Sequence, residues 1–199
     1  MRQQSLFPTS PAAPADPVPG LTVRRDYIDE AEEQRLLAHI DAGTWDSDFR
    51  RKIQLYGLGY GGEGETAWVR DFPPWLDALA RRVVADGWMP RLPDNCVIND
   101  YAPGVGIGPH SDFAAFDAPL VALSLLSPVV IDFRRRGHED GAAIVLPPRS
   151  LWIAAGAARW QWTHAIAARL SDVIDGERVR RGRRISLTFR VARVPVVRP

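Results

Sequence analysis

Arg184-Ile185-Ser186-Leu187-Thr188-Phe189-Arg190 alternates polar and apolar side chains without a break. A period of two is the mark of a β-strand with unlike faces. Arg184, Ser186, Thr188 and Arg190 share one face, and Ile185, Leu187 and Phe189 share the other. By alternation alone, the plainest home for such a strand is a sheet surface with its polar side in water. A barrel or sandwich offers a second, because a small β interior is filled by side chains or holds one small ligand. Two arginines facing inward need a buried anionic partner. A dicarboxylate meets that need through short, charge-assisted, often bidentate bonds. The strand is predicted over residues 183–193.

Outward from it, the second half of the chain reads as short strands separated by turn signals. Residues 95–101, 120–126, 129–135, 142–146, 150–155 and 159–166 are candidates, with Arg136–Gly141 as a turn. The first half reads differently. Residues 21–27 form a possible first strand. Asp29 is a helix N-cap, followed by Glu30, Glu32 and Glu33 where the helix dipole favours acids. Ala31, Leu36, Leu37 and Ile40 supply the apolar stripe of that helix, and Gly43 stops it. A second helix starts near Pro73-Pro74, buries Leu76, Leu79, Ala80, Val83 and Val84, and ends at Gly87. Helices first and many strands after predict an α+β, mainly β fold, with two helices packed on an antiparallel sandwich or barrel. Residues 1–19, rich in Pro and Ala, are expected to be a loosely ordered arm, and 20–195 a single domain.

Composition narrows the function classes. The chain has 199 residues and a net charge of +1, so no global field argues for nucleic acid or membrane. Nearly all its basic residues are arginine, with Lys52 the single lysine. Base-composition bias is the simpler account of that excess, although arginine also suits planar recognition of carboxylate and phosphate. One cysteine, Cys96, excludes an internal disulfide and a multi-cysteine metal site. No apolar run is long enough to span a bilayer, and residues 1–19 lack the apolar segment of a secretory signal. A cytoplasmic monomer that does not engage membranes is expected.

There are four histidines: His39, His110, His138 and His164. His110-Ser111-Asp112 places an imidazole and a carboxylate at i and i+2, on one side of an extended segment. Two histidines and one carboxylate leave one face of an octahedral metal open, which suits non-haem Fe(II) and its use of O₂. A lone His-x-Asp is weak evidence, but the tight loop Ala102-Pro103-Gly104-Val105-Gly106-Ile107-Gly108-Pro109 delivers the chain into His110. Polar Asn99 and Tyr101 also interrupt the apolar strand before it. For the third ligand, His39 lies at the edge of a helix and His138 in a charged turn. His164 lies in the strand region after Trp160-Gln161-Trp162-Thr163 and is favoured.

Together, Asn99-x-Tyr101-x-x-Gly104, His110-x-Asp112, His164 and Arg184-x-Ser186-x-Thr188-x-Arg190 resemble the AlkB-like dioxygenases. The motifs cover residues 95–193, and the Arg50–Gly57 stretch resembles that family's substrate-facing extension. The resemblance implies a double-stranded β-helix, or jelly roll, with iron at one open end held by His110, Asp112 and His164. It implies 2-oxoglutarate as co-substrate, with Arg184 and Tyr101 on its C5 carboxylate and Asn99 and Arg190 near its C1 end or Asp112. Ser186 completes the co-substrate set. The reaction consumes O₂ and gives succinate and CO₂, with formaldehyde released when an N-methyl group is oxidised.

Two departures stand out. The family often has Asn where this chain has Ser186. Members that repair alkylated bases commonly carry an acid two residues after the ligand Asp, where this chain has Ala114. The Ala114-Ala115-Phe116 stretch resembles relatives acting on tRNA or protein. Tyr56, Tyr60, Trp45 and Phe113 are candidates to hold a flipped base, with Arg50, Arg51 and Lys52 for phosphates. For Trp45 a core position competes with that role, and for the basic run a solvated face does. Oxidative demethylation of single-stranded DNA or RNA is therefore one expectation. The same chemistry on methylated protein or a small molecule is a second, and a non-catalytic jelly-roll binding module a third.

Overall fold

A computed structural model describes residues 17–46, 51–60 and 66–194, without the side chains of Tyr60 and Thr66. In chain order the elements are β1 (Leu21–Arg24), α1 (Glu30–Ala42), β2 (Lys52–Tyr60), β3 (Thr66–Arg70), α2 (Pro74–Ala85), β4 (Asn95–Tyr101), β5 (Ile107–His110), β6 (Leu120–Leu126), β7 (Val129–Arg135), β8 (Gly141–Leu146), β9 (Ser150–Ala154), α3 (Gly156–Trp160), β10 (Trp162–Ile166), β11 (Ser171–Ile174), β12 (Glu177–Arg180) and β13 (Arg184–Arg190). No helix among the described residues is long and apolar enough to cross a membrane.

The strands form a seven-stranded antiparallel sheet in the order β1-β9-β6-β13-β4-β2-β3, and a four-stranded sheet in the order β5-β10-β7-β8. The alternating strand β13 sits near the middle of the large sheet, paired on one side with β4 and on the other with β6. All seven of its residues are buried, so the surface-strand reading fails. Ile185, Leu187 and Phe189 join Cys96, Ile98, Leu123 and Leu151 in a core shared with α1 and α2. The opposite face, carrying Arg184, Ser186, Thr188 and Arg190, looks toward the small sheet. Tyr101, Ala122 and Trp152 there meet Ile131, Phe133 and Ile166. Each buried large apolar side chain contributes ~1.5–3 kcal/mol, and the polar lane along β13 runs between two such layers. This is the jelly roll that the family resemblance implies, with the helices that the sequence pattern predicts on its outer face.

Asp29 caps α1 by accepting from the Glu32 amide at 2.7 Å, and Leu36, Leu37 and Ile40 bury its stripe. The differences from the sequence expectation fall at Gly- and Pro-rich or polar segments. Strands β2, β3, β5, β11 and β12 were not anticipated. The segment 159–166 is divided, because residues 156–160 form a third, single-turn helix before β10. At the end of the expected arm, Val18 is fully buried and the Pro19 carbonyl accepts from the Ala158 amide. Residues 1–16 lie outside the described part.

Candidate active site

Between the sheets lies a cavity of about 330 Å³, lined among others by His110, Asp112, His164, Tyr101, Arg184 and Arg190. Strand pairing places the two histidines directly opposite one another, His164 on β10 against His110 on β5, with ring centroids 4.4 Å apart. One donor atom from each of His110, Asp112 and His164 lies within 4.8 Å of the others, a spacing that can hold a metal ion. His39 and His138 lie elsewhere. His39 is exposed on α1 and stacks on Trp75, and His138 is exposed in the β7–β8 turn.

The ligand atoms are prepared by their neighbours. His110 Nδ1 lies 2.9 Å from the Gly108 carbonyl. A proton held on Nδ1 by that contact leaves the Nε2 lone pair free. Burial pushes the pKa of His164 down to about 4 despite the nearby Asp112 carboxylate. It is therefore neutral at pH 7, the form a metal requires. The Asp112 side chain is 5% exposed. Burial alone would raise its pKa, but Arg190 and then His164 outweigh burial and hold it below the usual range. Arg190 donates from Nε to Asp112 Oδ1 at 2.7 Å and also contacts that oxygen through Nη2. Oδ2 is left facing His164 Nε2 at 3.6 Å. Arg190 is in turn steadied by Asn95, whose Oδ1 accepts from Nη1 at 2.9 Å.

The other end of the lane is different. Arg184 is buried, donates from Nε to Ser124 Oγ at 3.0 Å and lies over the Tyr101 ring at 5.3 Å. It forms no ion pair with a carboxylate among the described residues. Burial pulls its pKa down to about 10, so it remains a cation at neutral pH. Burial also raises the Tyr101 pKa, leaving a phenol able to donate. A buried guanidinium without an anion beside a phenol and the Ser186 hydroxyl fits a carboxylate. The three metal-spaced donors fit Fe(II). Both halves of the expected cofactor set are thus matched by residues present.

Asn99 and Ser186 also line the cavity, and Asn99 Oδ1 accepts from Arg51 Nε at 3.1 Å. Phe113 stands at the cavity wall, 39% exposed. Tyr56 is a correction: it is 5% exposed and packed in the helix-side core, with its hydroxyl on Gln54 Oε1. Tyr56 pairs with Cys96, whereas Ile53 pairs with Asn99, so parity turns Tyr56 away from the cavity. Trp45 packs against the same helix-side core. Arg50 and the Tyr60 side chain lie outside the described residues. Arg159, Asn95 and Ser124 were missed; their hydrogen bonds depend on long-range pairing that no local motif records.

The 2OG-Fe(II) oxygenase superfamily model matches residues 48–190. The uncharacterized protein L905 of Acanthamoeba polyphaga mimivirus is 32% identical over 178 residues, covering 86% of this chain and 84% of that protein. The tRNA (carboxymethyluridine(34)-5-O)-methyltransferase ALKBH8 of Macaca fascicularis is 33% identical over 208 residues; these cover 88% of this chain but 31% of that much longer protein. Among solved structures, that of OsALKBH1 superposes with a TM-score of 0.68 at 13% identity, covering 87% of this chain and 97% of that one, a likeness of fold.

Proposed function

The chain belongs to the 2OG-Fe(II) oxygenase superfamily, in its AlkB-like branch, and from that premise we propose that it oxidatively demethylates an N-methylated base of DNA or RNA, with tRNA the first candidate. It is a dioxygenase that uses Fe(II), 2-oxoglutarate and O₂. In this reading His110, Asp112 and His164 hold the iron. Arg184 and Tyr101 take the C5 carboxylate of 2-oxoglutarate, with Asn99, Ser186 and Arg190 along the rest of the co-substrate. Bound iron, co-substrate and O₂ supply the oxidising equivalent that converts a substrate C–H bond to C–OH.

The chain's own residues do the rest. Arg190 holds Asp112 ionised and turned so that one oxygen remains for the metal. Arg184 draws the dicarboxylate to the far end of the lane and so fixes its other end toward the histidines. Ile131, Trp152 and Ile166 supply apolar wall between the two ends. Arg51 and Phe113 line the cavity wall, where an extruded base would pass.

The observation that carries this reading is one cavity joining three metal-spaced ligands to a buried arginine with no carboxylate partner among the described residues. The substrate class is supported by the tRNA named for the macaque relative. The methyl transfer in that name is not carried over, since the chain spans about a third of that protein. Cytoplasmic location and a monomeric state remain part of the proposal. The test is formaldehyde release with methylated tRNA, methylated oligonucleotides and methylated peptides side by side. Release from nucleic acid, largest with tRNA, is expected. Release from peptides alone would overturn the substrate reading.

A further inference from the structure

Arg159 is buried, 4% exposed, at the end of the single-turn helix α3, five residues before His164. Its guanidinium makes no ion pair among the described residues. Instead it fans onto three main-chain carbonyls of the turn that begins at Asp112. Nη1 donates to the Asp112 carbonyl at 3.3 Å, and Nη2 donates to those of Phe113 at 3.0 Å and Phe116 at 2.7 Å. The group also lies over the Trp160 ring at 4.1 Å. A buried cation is costly unless its hydrogen bonds are met; here the turn's carbonyls take up Nη1 and Nη2, while Nε has no partner among the described residues. That turn is closed by the Phe116 amide on the Phe113 carbonyl at 3.1 Å.

The two segments that Arg159 joins are those carrying the proposed ligands. His110 and Asp112 enter from one side, and α3 leads into the strand that carries His164. Pairing of β10 with β5 sets the two histidines opposite each other. It leaves Asp112, beyond the end of β5, to be set by the turn that follows. Arg190 orients the Asp112 carboxylate, but no β-ladder bond holds its backbone.

We infer that Arg159 is a positioning residue of the metal centre, holding the Asp112–Phe116 turn in register with the His164 segment; this rests on reading His110, Asp112 and His164 as the metal ligands. The guanidinium reaches the three carbonyls from two nitrogens held in one plane, which the single nitrogen of a lysine reproduces only in part. Outer-shell partners of this kind are typically worth about 10–100-fold in metal affinity.

The test is anaerobic titration of the full chain with Co(II), followed by its ligand-field absorption, for the wild type, Arg159→Met and Arg159→Lys. Thermal unfolding of the metal-free proteins is measured in parallel. Arg159→Met is expected to weaken Co(II) binding about tenfold or more and to shift the absorption band, with Arg159→Lys in between. Should the methionine variant not fold, the lysine variant alone decides. A folded variant of either kind with wild-type Co(II) affinity and spectrum would reduce Arg159 to a packing role and overturn the inference. A wild type that binds no Co(II) would remove the metal-site reading itself, and this inference with it.

Discussion

At the metal-ligand end of the cavity every charge already has a partner: Asp112 has Arg190, Arg190 has Asn95, and His110 has the Gly108 carbonyl. At the other end Arg184 has a serine hydroxyl and the face of a tyrosine ring, and no carboxylate among the described residues. Both arginines stand on the same face of the same strand, six residues apart. One is paired with a carboxylate of its own chain, and in the proposed function the other takes the carboxylate of the co-substrate. Identical side chains on one strand therefore have opposite relations to stability and to binding.

The largest effect should come from the metal end. His110→Ala or Asp112→Ala should abolish succinate formation from 2-oxoglutarate, and wild-type-like turnover in either would break the assignment. Arg190→Met should then destabilise the metal-free protein by about 3–5 kcal/mol, because it leaves the Asp112 carboxylate buried and unpaired; urea denaturation checks this. Acid should act at the same end. In the folded chain the His164 imidazole takes up a proton only near pH 4, whereas in the unfolded chain it does so near 6.5. Between those values the unfolded state binds more protons. Stability present above pH 6.5 is therefore lost as the pH falls toward 4. His164→Gln should flatten that part of the melting-temperature profile, and an unchanged profile would argue against a neutral buried His164. The smallest effect belongs to the opposite end. Arg184→Met should leave the metal-free protein as stable as wild type or about 1 kcal/mol more stable, since an apolar side chain replaces an uncompensated buried cation. A loss matching that of Arg190→Met would erase the contrast between the two ends.

Strand bounds are legible where short apolar-rich runs are closed by turn signals, and the facing of side chains where polar and apolar residues alternate. Strands 95–101, 120–126 and 129–135 match their predicted bounds. The inward arginines followed from that alternation once an interior was considered. Ile107, Gly108 and Pro109 read as loop that leads into an extended His110, because Gly and Pro are turn residues out of context; pairing with β10 makes them strand. Tyr56 is a base-holding candidate on its aromatic ring alone, and its parity, once the strand is known, turns it to the helix side. Arg159 carries no motif at all. Its role depends on three carbonyls in a turn more than 40 residues away in sequence.

The most direct test of a two-ended cavity is titration of 2-oxoglutarate into the Co(II)-loaded protein, wild type against Arg184→Met, followed by the cobalt absorption band. The account predicts the same spectral change in both proteins, with the midpoint in Arg184→Met raised about tenfold or more, as loss of a charge-assisted carboxylate contact requires. Equal midpoints would contradict it, because the co-substrate would then be held without the arginine that the cavity keeps for it.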